Sequence, residues 1–192
     1  MLEFTNFKKY YHNIPVLDIP SFTIRKGIHL LKGSNGSGKT TLFRSLAGLQ
    51  KFDGEIKLDN ISLKNSPLIQ RRFINYSDAE PKFPPFLTGM DFIRLFALLK
   101  QFSAGETNEI IERLKISAYS NNPIGTYSSG MLKKFSIALA FIGHPKIILL
   151  DEPFANVDDE SVTPIYDLIR DKNLKSGATF VITSHQDFVL IL

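Results

Sequence analysis

The chain has 192 residues and carries 23 Lys/Arg against 19 Asp/Glu, a net charge of +4, with 43% apolar residues, 16 Phe and no Cys. That apolar share supports a buried core and excludes a disordered chain, while the lack of Cys excludes disulfides, thiolate metal sites and thiol redox chemistry. The length fits a single domain with at most a small inserted lobe, and apolar runs such as Ile147–Leu150 stop far short of the roughly 20 residues that cross a bilayer.

The charge is uneven: residues 1–96 hold 14 Lys/Arg against 8 Asp/Glu, and residues 97–192 hold 9 against 11. A basic half can meet phosphates, although a solvated basic face explains it equally simply. No run of five like charges occurs, so no nucleic-acid partner is expected. No basic segment followed by an apolar stretch opens the chain, which argues against secretion.

In chain order, Leu2–Phe7, Ser21–Ile24 and Ile28–Lys32 read as strands, parted by the turn residues Asn13, Pro15, Lys26 and Gly27. Thr40–Ala47 reads as a helix stopped by Gly48. Glu55–Leu58 and Ile61–Leu63 are short strands around Asp59-Asn60, and Arg72–Phe86 leads into a loop rich in Pro. Thr88 to Asp91 has the form of a helix cap, followed by Phe92, Leu95, Phe96 and Leu99 at helical spacing, read as a core stripe. Glu106–Ile116 and Ser128–Ile142 are two further helices. Ile147–Leu150 has the unbroken apolar character of a strand inside a parallel sheet, and helix 161–174 with strand Ala178–Thr183 completes a β-α-β unit. The expected fold is α/β: a P-loop NTPase core with a mixed sheet, flanking helices and N-terminal antiparallel strands, over about 1–85 and 143–192. A helical subdomain is inserted over about 86–142.

Two segments carry chemistry. Gly33-Ser34-Asn35-Gly36-Ser37-Gly38-Lys39-Thr40 fills every fixed position of the P-loop pattern and stands between a strand and a helix, where that pattern must stand. Its glycines let successive amides turn inward around a phosphate; Lys39 reaches the β- and γ-phosphates and the Thr40 hydroxyl ligates Mg²⁺, with Thr41 beside it. A chance Gly/Ser-rich turn explains neither the full pattern nor its context. The second segment, Ile147 to Pro153, is an apolar strand ending in Asp151 and Glu152. Asp151 sits where a Walker B carboxylate holds the Mg²⁺ shell, and Glu152 where a carboxylate polarises the attacking water. Acidic residues after a buried strand also cap helices, so this pair gains its weight from the P-loop.

Three more segments follow in order: Tyr127-Ser128-Ser129-Gly130-Met131 before a helix, Phe154 to Asp158 directly after the carboxylates, and Thr183-Ser184-His185 about thirty residues later. The ordered set resembles the ATP-binding cassette (ABC) transporter ATPases over essentially the whole chain, with Walker A, signature, Walker B, D-loop and His switch. The resemblance implies that Tyr11, or Tyr10 if the register slips by one, stacks on adenine. Ser128, Ser129 and Gly130 would contact the γ-phosphate of ATP bound to a partner subunit, Asp158 would act across the dimer interface, and His185 would touch the γ-phosphate of the chain's own ATP. It further implies a head-to-tail homodimer that sandwiches two nucleotides, ATP and Mg²⁺ as ligands, a separate membrane-spanning permease, and a place on the cytoplasmic face of the cell membrane. The catalytic set is Glu152, His185 and Lys39.

This sequence departs from the family pattern in places. The signature reads Tyr-Ser-Ser-Gly-Met instead of Leu-Ser-Gly-Gly-Gln, a form similar to simple bacterial exporters. Ala79 stands where the Q-loop glutamine is usual, leaving Glu80 as the nearest metal-ligating substitute, and no further strands follow His185. Phe83-Pro84-Pro85-Phe86 reads equally as a seat for a coupling helix of the permease and as simple loop packing. The rival to a transport ATPase is an ATP-gated dimerising subunit that hydrolyses poorly. A ribosome- or DNA-directed cassette lacks its second cassette or coiled coil here, and a small-metabolite kinase leaves the last three segments unexplained.

Overall fold

The computed structural model describes residues 1–184, and His185 lies outside the described residues. Strands β1 (Leu2–Tyr11) and β2 (Ile14–Ile24) form a hairpin several residues longer than the sequence pattern indicates. His12 and Asn13 turn it with φ of 48° and 64°, the left-handed pair that matches the twist of a two-residue hairpin. β4 (Asp53–Leu58) and β5 (Ile61–Ser62) extend it to an antiparallel sheet of order β2-β1-β4-β5.

A second sheet is parallel throughout. It comprises β3 (Ile28–Leu31), β6 (Ile74–Ser77), β7 (Ile147–Leu150) and β8 (Thr179–Thr183) in the order β3-β8-β7-β6. The expected antiparallel N-terminal strands thus belong to one sheet and the P-loop and carboxylate strands to the other. All four residues of β7 are buried, as a strand covered on both faces requires.

Helix α1 (Lys39–Leu46) lies between the sheets: its Phe43 and Leu46 join Leu2, Phe4 and Ile56 of the first sheet and Leu149 and Val181 of the second in one apolar cluster. Helix α2 (Pro67–Phe73), absent from the sequence reading, leads directly into β6. The inserted segment holds α3 (Gly89–Leu99), α4 (Ala104–Arg113) and α5 (Ser129–Phe141), and α6 (Asp159–Ser176) covers the sheet beside β8. A larger apolar cluster joins α5, α6, β7 and β8 to the helical lobe through Phe135, Ile137, Phe141, Ile165 and Phe180.

The α3 stripe is corrected in part: Phe92 and Phe96 pack against the core as expected, but Leu95 and Leu99, with Leu98, are 50–76% exposed, and Ile93 takes the buried apolar place. In a helix as apolar as Phe-Ile-Arg-Leu-Phe-Ala-Leu-Leu several helical stripes overlap, and only the neighbouring elements decide which one faces inward. The Pro-rich loop splits its two aromatic residues: Phe83 packs edge-on against Phe92 and Phe135 at 5.3 and 5.0 Å, while Phe86 is 79% exposed.

Candidate nucleotide site

The loop Gly33–Ser37 is exposed and joins β3 to the N-terminus of α1. Gly38, the N-cap, has φ 92°, which favours glycine, and a Cβ there would come 2.7 Å from Leu17 Cδ2 of β2 and have to displace that side chain. Lys39 Nζ donates to Gly33 O at 2.6 Å and Ser34 O at 3.0 Å, which folds the side chain back across its own loop. Ser34, Asn35, Gly36 and Ser37 line that loop, and Thr40 and Thr41 begin the first turn of α1, partly exposed.

The carboxylate site is built in the opposite manner. Asp151, immediately after β7, is 1% exposed. Its Oδ1 accepts from Thr183 Oγ1 at 2.7 Å and its Oδ2 from Tyr76 Oη at 3.3 Å. Burial first, then the Asp151 and Asp78 carboxylates, push the Tyr76 phenol up, so it stays a donor. Glu152 has φ 50°, an unusual conformation for a residue with a side chain, and its N–H donates to Thr183 Oγ1 at 2.9 Å. β3 and β7 flank β8, so one parallel sheet carries both the P-loop strand and the carboxylate strand.

Three residues of this site escape sequence reasoning. Tyr76 lies within β6 and Thr183 ends β8; the third, Lys133 of α5, is 2% exposed. Its Nζ donates to Asp78 O at 2.8 Å, more weakly to Ala79 O at 3.4 Å, and to Asp151 O. Burial pulls this ammonium down to about 8 against the opposing fields of Asp151, Asp78 and Glu152. Arg44 of α1 also grips Asp78 through a two-pronged pair at 3.0–3.2 Å, tying the P-loop helix to the 78–80 loop. Glu80 is exposed and its N–H donates to Asp78 Oδ1, so the described residue whose side chain reaches Asp151 from this segment is Tyr76.

At the signature, Ser128 caps α5 by accepting from Met131 N–H at 3.2 Å. Ser128 and Ser129 are exposed, while Tyr127 is buried against Tyr119 and Phe135 and donates to Tyr119 O at 3.1 Å. Tyr in place of Leu at this point is thus a core residue. Gly130 lies under the loop after Glu152: a Cβ would meet Asn156 O at 2.6 Å. Asp158 accepts from Ser161 Oγ at 2.6 Å and from Lys134 Nζ at 2.9 Å, and these bonds, the hydroxyl first, hold it down at about 2. Tyr11 ends β1, where its Oη donates to Gln50 Oε1 at 2.8 Å and its ring carries the Lys9 ammonium at 5.1 Å. His29 and His144 contact Arg25 O and Phe102.

A divalent cation fits the donor set. The buried Asp151 carboxylate receives bonds from neutral hydroxyls alone among its described side-chain partners, and Thr40 supplies a hydroxyl at the P-loop. No helix among the described residues is long and apolar enough to cross a membrane.

Comparison with known proteins agrees with this geometry. A family model described as ABC transporter matches residues 17–155. The ABC transporter ATP-binding protein YybJ of Bacillus subtilis is 31% identical over 96% of this chain and 85% of its own length. ABC transporter A family member 1 of Dictyostelium discoideum is 33% identical over 93% of this chain, which spans only 20% of that protein; for YhcH of B. subtilis, 28% identical, the share is 62%. Among solved structures, a dimeric post-hydrolysis state of the cassette MJ0796 bound to ADP and Pi superposes with a TM-score of 0.83 at 26% identity, covering 97% of this chain and 88% of that one. An ATP-binding subunit of an ABC transporter gives 0.86 at 25% identity, with 96% and 79% covered. The chain belongs to the ABC transporter family, as one of its ATP-binding ATPase cassettes.

Proposed function

We propose that the chain binds and hydrolyses ATP to power a separate membrane-spanning subunit, in the direction of export. The observation that carries this reading is the buried Asp151 with Glu152 beside it, on the strand that shares a sheet with the P-loop strand. The loop amides around Ser34–Gly38 and the Lys39 ammonium hold the phosphates, because Lys39 need only exchange two backbone carbonyls for phosphate oxygens. Thr40 and Asp151 hold Mg²⁺, with Glu80 a further candidate ligand, and Mg²⁺ supplies charge neutralisation on the phosphates when bound. Glu152 orients and deprotonates the attacking water, and His185 acts with Lys39 on the developing phosphoryl charge. Tyr11 offers its ring to adenine.

The exposed Ser128 and Ser129 and the half-buried Gly130 backbone serve the nucleotide of a second copy, and Asp158 reaches across the same head-to-tail interface. The dimeric state of MJ0796 supports that arrangement. Leu95, Leu98 and Leu99 leave an exposed apolar stripe on α3, and Phe86 is exposed in the loop before it; these side chains are offered to a coupling helix of the permease. The core over 1–85 and 143–192 and the lobe over 86–142 are then the two bodies of one cassette on the cytoplasmic side of the cell membrane.

Steady-state phosphate release with Mg-ATP, over a range of protein concentrations, tests the reading beside Glu152→Gln. The expected result is specific activity that rises with concentration and falls at least about a hundredfold in the variant, while nucleotide binding is kept. Equal, flat rates in both proteins overturn hydrolysis and leave the ATP-gated dimerising subunit.

A further inference from the structure

The peptide joining Asp151 to Glu152 is held in an unusual way. It lies just past β7, and both of its polar groups go to side chains. Its carbonyl, on Asp151, accepts from Lys133 Nζ; its N–H, on Glu152, donates to Thr183 Oγ1 at 2.9 Å. Lys133 comes from the signature helix α5 and Thr183 from the neighbouring strand β8. Both are closed off from water, at 2% and 0% exposure, so no solvent competes for either bond.

The peptide plane matters because Glu152 sits at φ 50°. A residue with a side chain holds that conformation only where its surroundings over-determine it. The direction of the Glu152 side chain depends on the plane before it, and the two bonds fix that plane from opposite edges. Lys133 is itself anchored, since its remaining protons go to Asp78 O and Ala79 O. Two further buried links fasten the same helix to β6 and keep its spacing constant: Ser77 Oγ donates to Ser136 Oγ at 3.0 Å, and Asn75 Nδ2 donates to Ala140 O and Ile142 O.

We propose that Lys133 and Thr183 are positioning residues for ATP hydrolysis, which pin the Asp151–Glu152 peptide plane and so aim the Glu152 carboxylate at the attacking water. This deepens the hydrolytic reading above and rests on it. Neither side chain touches the reacting atoms: Lys133 works through a carbonyl, and Thr183 through an amide and Asp151 Oδ1.

The test compares Thr183→Val, Thr183→Ser and Lys133→Met with the wild-type chain. Readouts are kcat, KM for ATP, the Mg²⁺ concentration dependence, displacement of a fluorescent ATP analogue, and thermal unfolding. Thr183→Val is nearly isosteric and removes only the hydroxyl, so it keeps the test open if Lys133→Met does not fold. The expected result is a kcat about tenfold to a hundredfold lower in Thr183→Val and Lys133→Met, with KM, analogue affinity and Mg²⁺ dependence unchanged within about twofold. Thr183→Ser restores kcat to within about threefold, because its hydroxyl makes the same pair of bonds. A wild-type kcat in Thr183→Val overturns the proposal. So does a loss accompanied by a shifted Mg²⁺ requirement, which would place the effect on the Asp151 carboxylate. If the wild type itself shows no Glu152-dependent turnover, the hydrolytic reading fails first, and the comparison with Glu152→Gln separates that failure from this one.

Discussion

The two halves of the nucleotide site are built on opposite principles. The P-loop is exposed from Gly33 to Ser37, and among the described residues its Lys39 donates to carbonyls five and six residues away. At the Asp151–Glu152 corner Asp151 is buried and Glu152 half-buried, and the corner's polar groups go to Tyr76, Lys133 and Thr183, contributed by three other elements. A local loop presents its donors to solvent and can exchange them for a phosphate without disturbing the core. A buried corner has its orientation set in advance by its neighbours, as a reaction that depends on direction requires.

The largest effect separates the two. Asp151→Ala leaves the Thr183 and Tyr76 hydroxyls short of an acceptor inside the core, so it costs roughly 2–4 kcal/mol of stability as well as activity. Lys39→Ala removes a side chain that, among the described residues, bonds to its own loop; it changes stability by less than about 0.5 kcal/mol while lowering ATP affinity at least about tenfold. Chemical denaturation of both variants beside nucleotide titration checks the pair. An Asp151→Ala protein as stable as wild type would break the comparison.

One contact crosses the divide. Gly38 belongs to the P-loop, yet Leu17 of β2 closes over it so tightly that a Cβ would lie 2.7 Å from Leu17 Cδ2. With φ at 92° as well, Gly38→Ala is expected to cost about 1–3 kcal/mol, more than Lys39→Ala despite the smaller chemical change. Adding Leu17→Ala should recover the part of that cost due to crowding and leave the part due to backbone strain. Full additivity of the two substitutions in thermal unfolding would show that Leu17 does not press on the loop.

The same division explains what could be read from the chain alone. The P-loop is a contiguous pattern set by glycine conformation and by its place between strand and helix, so eight residues suffice to recognise it. Asp151 and Glu152 are legible because β7 is a short unbroken apolar run. Their partnership is not: Thr183 lies 32 residues from Asp151 and Tyr76 lies 75, and no local pattern marks a strand hydroxyl as the partner of a distant carboxylate. Lys133 looks in sequence like any cation on the polar face of a helix; only the packing of α5 against β6 and β7 buries it. The register and strand order within each sheet are illegible for the same reason, as pairing partners are distant. Helix α2 is different: Ser66-Pro67 is a legible helix-start signal, but the helix that follows is only seven residues long. The inward stripe of α3 was ambiguous in principle, since nearly every face of that helix is apolar.

The smallest expected effect concerns Asp158, which fits neither half. Its carboxylate is 52% exposed, yet the Ser161 hydroxyl and then Lys134 hold it down at about 2 from an ordinary 3.8. A carboxylate whose folded value is depressed contributes stability that is present above about 3.8 and lost as pH falls through about 2. Solvent screening limits that contribution to a few tenths of a kcal/mol, up to about 1. Denaturant titrations between pH 5 and pH 2 should therefore show a slightly shallower loss of stability in Asp158→Asn than in wild type, with the difference shrinking in high salt. An identical slope in both proteins would mean that the bonds to Ser161 and Lys134 do not persist in solution. The small size of the effect bears on the interface role proposed for this residue. A carboxylate tied to its own chain by several kcal/mol would not exchange partners, whereas one held by a fraction of that can leave Lys134 for a second copy at little cost when ATP draws the two cassettes together.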